Sequence, residues 1–151
     1  MRAIIQRVAH ARVEVEKEIV GEIEAGLLVL LGVTHDDTQA DIDYLIRKIT
    51  KLRIFNDEAG KMNLSVNDIG GGILVVSQFT LFADTSKGNR PSYIRSAPPD
   101  FSIPMYEQFL ASLKQQFDGP IATGKFGAAM EVHLLNDGPV TISIDSKEPK
   151  Y

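Results

Sequence analysis

The sequence predicts an α/β protein of the α+β type, with mixed β-sheet layers and two main helices packed on one side. Three observations predict it. β-Branched and apolar runs fill residues 2–33 and again about the last forty residues. Two separate stretches carry apolar residues at helical spacing. No internal repeat, low-complexity tract or linker divides the chain. At 151 residues it is expected to form one domain, 1–151, long enough for a real core.

Residues 2–33 read as strands. Ile4, Val8, Val13, Val15, Ile19 and Ile23 sit in short alternating or β-branched runs, punctuated by Gly21 and Gly26. Residues 27–33 are apolar throughout, the pattern of a strand covered on both faces. The period then changes. Ile42, Leu45, Ile46, Ile49 and Leu52 form a core-facing helical stripe, and Thr38 with Asp41 three residues later marks its start. A short strand is expected near 52–55, then a turn at Gly60. Gly70-Gly71-Gly72 reads as a tight turn before a buried strand over 73–76. Ser77, Gln78 and Thr80 lie at the end of that strand, where α/β sheets often place ligand sites.

A loop rich in Ser, Gly, Pro and Arg follows over 84–101, and loops of that length are usually functional or disordered. The second helix is expected from about Pro104. Tyr106, Phe109, Leu110, Leu113 and Phe117 give its apolar face, and Asp118-Gly119-Pro120 its stop. Two strand-like runs, 130–135 and 140–144, end the chain, with Met130, Val132 and Leu134 alternating against Glu131, His133 and Leu135. Asn136-Asp137-Gly138-Pro139 interrupts them. Gly138 can take backbone angles other residues avoid, and Pro139 has a fixed φ and no N–H. Alone, the dipeptide reads as a tight turn; it also makes a rigid corner with two carbonyls held in fixed directions.

Composition narrows the function classes. Hydrophobic content of 44% and charged content of 24% are ordinary for a globular protein. No apolar stretch approaches the roughly 18 residues of a membrane span, so no membrane partner is expected. The N-terminus alternates like a strand and lacks the layout of a signal peptide. The absence of cysteine excludes disulfides, thiolate metal sites and thiol nucleophiles, and fits a reducing cytoplasm. A net charge of −4 argues against extended nucleic-acid binding but allows the gripping of a short single-stranded RNA end. Basic residues cluster at Arg47, Lys48, Lys51 and Arg53, which reads as a solvated helix face. A second cluster, Lys87, Arg90 and Arg95, lies in the long loop and is a candidate RNA contact.

Familiar catalytic constellations are missing. His10, His35 and His133 show no metal-ligand spacing, so no metal is expected; His133 reads as a core-edge or surface residue. Ser77 and Thr80 have no histidine or lysine nearby in sequence and no nucleophile elbow. Gly70-Gly71-Gly72 precedes a strand, so it opens no phosphate-binding helix, and no cofactor is expected. What remains is a site built from backbone groups.

Ser77-Gln78-Phe79-Thr80-Leu81 and Asn136-Asp137-Gly138-Pro139-Val140-Thr141 resemble the two signature motifs of the D-aminoacyl-tRNA deacylase family, also called D-tyrosyl-tRNA deacylase. The similarity extends to Met1-Arg2-Ala3-Ile4-Ile5-Gln6-Arg7-Val8, to 26–33, to Gly60-Lys61-Met62-Asn63, to Lys87-Gly88-Asn89-Arg90-Pro91-Ser92 and to 123–128. It implies hydrolysis of the ester of D-aminoacyl-tRNA, with glycyl-tRNA mischarged on tRNA(Ala) as a further substrate. The Phe79–Thr80 main chain is then expected near the scissile carbonyl, with Thr80 positioning water or the oxyanion, or else acting as a nucleophile, and Ser77 and Gln78 beside it. The resemblance also implies a homodimer with the active site at the subunit interface. There Gly138-Pro139, as a cis dipeptide held by Arg7, would enter the partner's site and exclude L side chains. Read from its own strand, Arg7 could instead be a surface arginine, and Met130 is equally a cavity wall or ordinary core. Two other classes stay open: a non-catalytic RNA-end or small-ligand binding protein, and a hydrolase of other acyl esters.

Overall fold

The computed structural model describes residues 1–149. The chain opens with three antiparallel strands, β1 (Arg2–Val15), β2 (Glu18–Ile23) and β3 (Gly26–Gly32). Helix α1 (Gln39–Lys51) leads through a small hairpin, β4 (Phe55–Asn56) with β5 (Met62–Leu64), to β6 (Gly72–Ser77), which lies parallel to β3. A short 3-10 turn (Phe79–Phe82), α2 (Pro99–Gln116), β7 (Ile121–Thr123) and β8 (Glu131–Asp145) follow. The main sheet is mixed, ordered β2-β1-β3-β6-β7, with β8 on the other edge of β1. The α/β reading with two helices on a mixed sheet holds.

Period-two alternation divides the central strands between two cores. Leu27, Val29 and Leu31 of β3, with Ile73 and Val75 of β6, face the helices and pack on Ile42, Leu45, Ile46 and Ile49 of α1 and Phe109 and Leu113 of α2. Leu28, Leu74 and Val76 face the other way, where Val8, Ala11 and Val13 of β1 and Ile23 of β2 cover them. Both faces of β3 and β6 are therefore buried, as their unbroken apolar runs require. β2 closes against β7 at Gly21, where a Cβ would stand 2.3 Å from the Thr123 carbonyl oxygen.

Three boundaries differ from expectation, each for a local reason. The segment after α1 stays irregular until Phe55, because the Ile54 carbonyl accepts from the Arg7 guanidinium (2.5 Å) rather than from a strand. Helix α2 begins at Pro99, not Pro104: a proline suits the first helical position. Pro104 then sits inside the helix and forfeits only the bond to the carbonyl of exposed Asp100. The two C-terminal runs belong to one strand, β8, whose ladder with β1 is interrupted and resumes. The long loop is also shorter than expected, and it is pinned by backbone pairs Asp84–Ser92 and Thr34–Ser96.

One polar cluster ties the ends of the fold together. The buried Met1 ammonium donates to Asp37 and to Ser146 Oγ (2.8 Å). Ser146 Oγ in turn donates to Asp41 Oδ1 (2.7 Å), and Lys147 Nζ to Asp41 Oδ2 (3.0 Å). The Asp41 side chain also accepts from the Thr38 N–H (2.8 Å), so the residue expected to start α1 links the helix to the chain's end.

Candidate active site

The end of β6 meets α2 and the start of β8 around a cavity of about 300 Å3. Ser77, Gln78 and Phe79 form one side, and Met130, just before β8, with Val132 of β8 another. Ser102 and Tyr106 come from α2, and Phe126, Gly127 and Ala128 from the loop before β8. Local sequence explains the shape. The Gln78 N–H bonds the Leu31 carbonyl (2.7 Å), continuing the β3 pairing one residue beyond β6. The chain then tightens, with Leu81 N–H on the Gln78 carbonyl (3.3 Å) and Ala83 N–H on the Thr80 carbonyl (3.0 Å). The N–H groups of Phe79 and Thr80 open this turn, where no intra-turn acceptor exists. Neither has a hydrogen-bond partner among the described residues. They are two free main-chain donors at the cavity's edge.

The side chains offer little conventional chemistry. Thr80 Oγ1 accepts from Gln78 Nε2, and no histidine, lysine or carboxylate hydrogen-bonds it among the described residues. The cavity lining holds no carboxylate, imidazole or amine. Its one ionisable group is the Tyr106 phenol, which burial pushes up to about 12. That phenol donates to the Val75 carbonyl (3.1 Å) and stays neutral at ordinary pH, so it anchors α2 rather than serving as a base. Most wall residues are apolar or aromatic, with Ser77, Gln78, Ser96 and Ser102 as polar exceptions, which suits a flat organic ring bound by contact and oriented by a few polar groups.

Gly138, Pro139 and Arg7 are assembled elsewhere in the chain. In the β1–β8 ladder Gln6 pairs with Thr141 and Val8 with Asn136, so Arg7 alone faces residues 137–140. Those four residues bulge outward and are exposed from Asp137 through Pro139. The Gly138-Pro139 bond is cis, and Gly138 has φ of +133°, a conformation that favours glycine. Arg7 is buried at 7% exposure; its Nε donates to the Asp137 carbonyl (2.8 Å) and its Nη1 to Ile54. It is the peg of the bulge, not a surface arginine.

The strand register separates the two groups. Arg7 lies opposite Leu27 at the start of β3, whereas Gln78 is bonded to Leu31 near its end. Four residues of strand amount to about 13 Å. Ser77, Gln78, Phe79 and Met130 therefore share one cavity with Thr80 at its edge, and Gly138, Pro139 and Arg7 stand apart.

Sequence reading missed Ser102, Tyr106, Phe126 and Ala128 as cavity residues. Tyr106 was legible as the apolar face of a helix, which it also serves. Ser102 fell outside the expected helix; a polar residue four before Tyr106, in phase with Phe109 and Leu113, was the available signal. His133 points to the face of β8 opposite Met130 and Val132. Its Nε2 lies 3.7 Å from both Glu14 and Glu131, which sit opposite each other across β1 and β8. Arg12 bonds the same Glu14 oxygen (2.8 Å), and none of the four lines the cavity.

Comparison with known proteins covers nearly the whole chain. The family model described as D-Tyr-tRNA(Tyr) deacylase matches residues 4–145. The chain is similar to a D-aminoacyl-tRNA deacylase of Flavobacterium johnsoniae, 61% identical over 97% of this chain and 98% of that one. It is likewise similar to one of Cytophaga hutchinsonii, 59% identical over the same shares. Among solved structures, one titled c-Myc DNA Unwinding Element Binding Protein superposes with a TM-score of 0.92 at 44% identity, covering 96% of this chain and 98% of that chain.

Proposed function

This chain belongs to the D-Tyr-tRNA(Tyr) deacylase family, and we infer that its reaction is hydrolysis of the ester joining a D-amino acid to the 3′ end of transfer RNA. The observation that carries this reading is the match to curated D-aminoacyl-tRNA deacylases along 97% of the chain, both motif segments included. The site's chemistry agrees with it. An aminoacyl ester is activated, and its hydrolysis needs a positioned water and donors for the developing oxyanion rather than a strong base. Phe79 and Thr80 supply those donors from the main chain, and Gln78 orients the Thr80 hydroxyl toward the same task. Water adds to the ester carbonyl, the ribose oxygen leaves with a proton, and free D-amino acid and tRNA result. Ser77 and Met130 are walls of the cavity, which receives the flat terminal nucleoside.

Selectivity comes from a second copy of the chain. The exposed corner stands about 13 Å along the strand from its own cavity's edge, which supports its entry into another protomer's site, in a homodimer with the active site at the subunit interface. Gly138 and Pro139 of one protomer accept from the substrate ammonium with their carbonyls and occupy the space an L side chain would need. Arg7 holds that corner in position. A gate of this kind passes glycine, so glycyl-tRNA mischarged on tRNA(Ala) is a further substrate. The cytoplasm, where charged transfer RNA is used, is the proposed location. No helix among the described residues is long and apolar enough to cross a membrane.

The test is deacylation of D-tyrosyl- and L-tyrosyl-tRNA side by side, with a chelator present. Rapid loss of the D ester alone is expected. Survival of both esters would move the protein to a non-catalytic RNA-end binder, and cleavage of both would remove the gate.

A further inference from the structure

The two large aromatic side chains exposed among the described residues are neighbours: Phe79, 56% exposed, and Tyr93, 40% exposed, meet edge to face with ring centroids 5.0 Å apart at 71°. Ile94, beside them in sequence, is 80% exposed. Isolated exposed apolar residues are unremarkable, but an aromatic pair and an isoleucine on one rim form a patch that calls for a partner. An edge-to-face pair leaves ring faces uncovered. Phe79 also lines the active-site cavity, so the patch continues from its mouth.

This rim is held in place. Asp84 and Ser92 exchange backbone hydrogen bonds (2.8 and 2.9 Å), and Ser96 N–H closes a turn on the Tyr93 carbonyl (2.9 Å). Thr34 Oγ1 donates to the Arg95 carbonyl (2.6 Å), and the Ala97 N–H to the Val33 carbonyl (3.0 Å). The Tyr93–Ile94 segment is thus preorganised, which reduces the entropy lost on binding.

Its charge identifies the partner. Lys87 and Arg90 are exposed on the loop that the Asp84–Ser92 pair closes just before Tyr93, Arg95 is exposed two residues after it, and none makes a salt bridge among the described residues. In a chain of net charge −4, three cations outside any salt bridge on the segment that carries Tyr93 are a local exception, offset only by Asp84, which feels the Arg95 charge. Aromatic faces that accept any base, together with cations that attract phosphate, are the combination that binds single-stranded nucleic acid without sequence readout.

We propose that Phe79 and Tyr93, with Ile94 and the cations Lys87, Arg90 and Arg95, form a platform on which the single-stranded nucleotides preceding the terminal adenosine of the transfer RNA stack. The inference rests on the deacylase reading of the adjoining cavity. It divides recognition in two: the cavity takes the reacting nucleoside, and the platform takes the strand leading to it.

The experiment compares two substrates, D-tyrosyl-tRNA and the D-tyrosyl ester of adenosine alone, for the intact protein and for Tyr93→Ala, Tyr93→Phe and the double variant Lys87→Gln, Arg90→Gln. Tyr93→Ala is expected to lower kcat/KM on the full substrate roughly tenfold through KM, the scale of one stacked base, and to leave the nucleoside ester unaffected. Tyr93→Phe keeps the ring and should behave as the parent protein. The double variant should flatten the dependence of log kcat/KM on log salt by about 0.7 for each phosphate it no longer neutralises. Equal effects of Tyr93→Ala on both substrates, no effect on either, or a change in its oligomeric state would overturn the platform, the last by showing an interface between copies. Inactivity of the parent protein on both substrates would instead overturn the deacylase reading, and the platform with it.

Discussion

Arg7 faces a four-residue bulge in the opposite strand and holds it, with one nitrogen on the Asp137 carbonyl and another on the Ile54 carbonyl. Hydrogen bonds from a charged donor are worth about 1.5–3 kcal/mol each, and lysine cannot reproduce two diverging ones. Arg7→Ala and Arg7→Lys should therefore both lower kcat/KM on D-tyrosyl-tRNA at least about tenfold, with melting temperature as the check that the fold survives. Parent-like activity in both variants would show that the corner needs no peg. At this scale the sequence was unevenly legible. The special backbone of Gly138 could be read from residue type, and its positive φ bears that out. Arg7 as a peg could not, because its burial depends on a bulge that exists only once β1 and β8 are paired. Thr80 could be placed at a strand end, but not its bond from Gln78, which forms only when the chain tightens into a turn.

Helix α1 begins at a capping arrangement that the pair Thr38 and Asp41 announced. Asp41 does more than cap. Burial alone would raise its pKa, but hydrogen bonds from Ser146, the Thr38 backbone and Lys147 overrule that and hold it well below the usual carboxylate range. A carboxylate depressed in the folded state adds stability that is fully present above its unfolded value of about 3.9 and disappears as pH falls through the folded value. Asp41→Asn should therefore lower the melting temperature at neutral pH, and its gap from the parent should narrow below about pH 4. A gap that stays constant with pH would mean that charge at Asp41 is not the stabilising feature. Periodicity made α1, β3 and β6 readable, since each buries a regular pattern. It misplaced α2 because Pro104 resembled a start, while Pro99 occupied the first helical position. It divided β8 in two because Gly138-Pro139 is locally a breaker, and only the ladder to β1 on both sides makes one strand of the halves.

For the molecule as a whole, the central claim is that one working site needs two chains: the cavity ending β6 from one protomer and the Arg7-held corner from another. A direct measurement is complementation in mixed dimers. Ala128→Phe fills the cavity and leaves the corner intact; Arg7→Ala releases the corner and leaves the cavity intact. Each variant alone should retain about a tenth or less of the parent activity on D-tyrosyl-tRNA. Refolded together in equal amounts, about half of the dimers combine one of each, and every such dimer holds one intact cavity facing one intact corner. The account predicts recovery of about a quarter of the parent activity in the mixture. If the mixture stays as inactive as its components, cavity and corner act within one chain, and the shared site is contradicted.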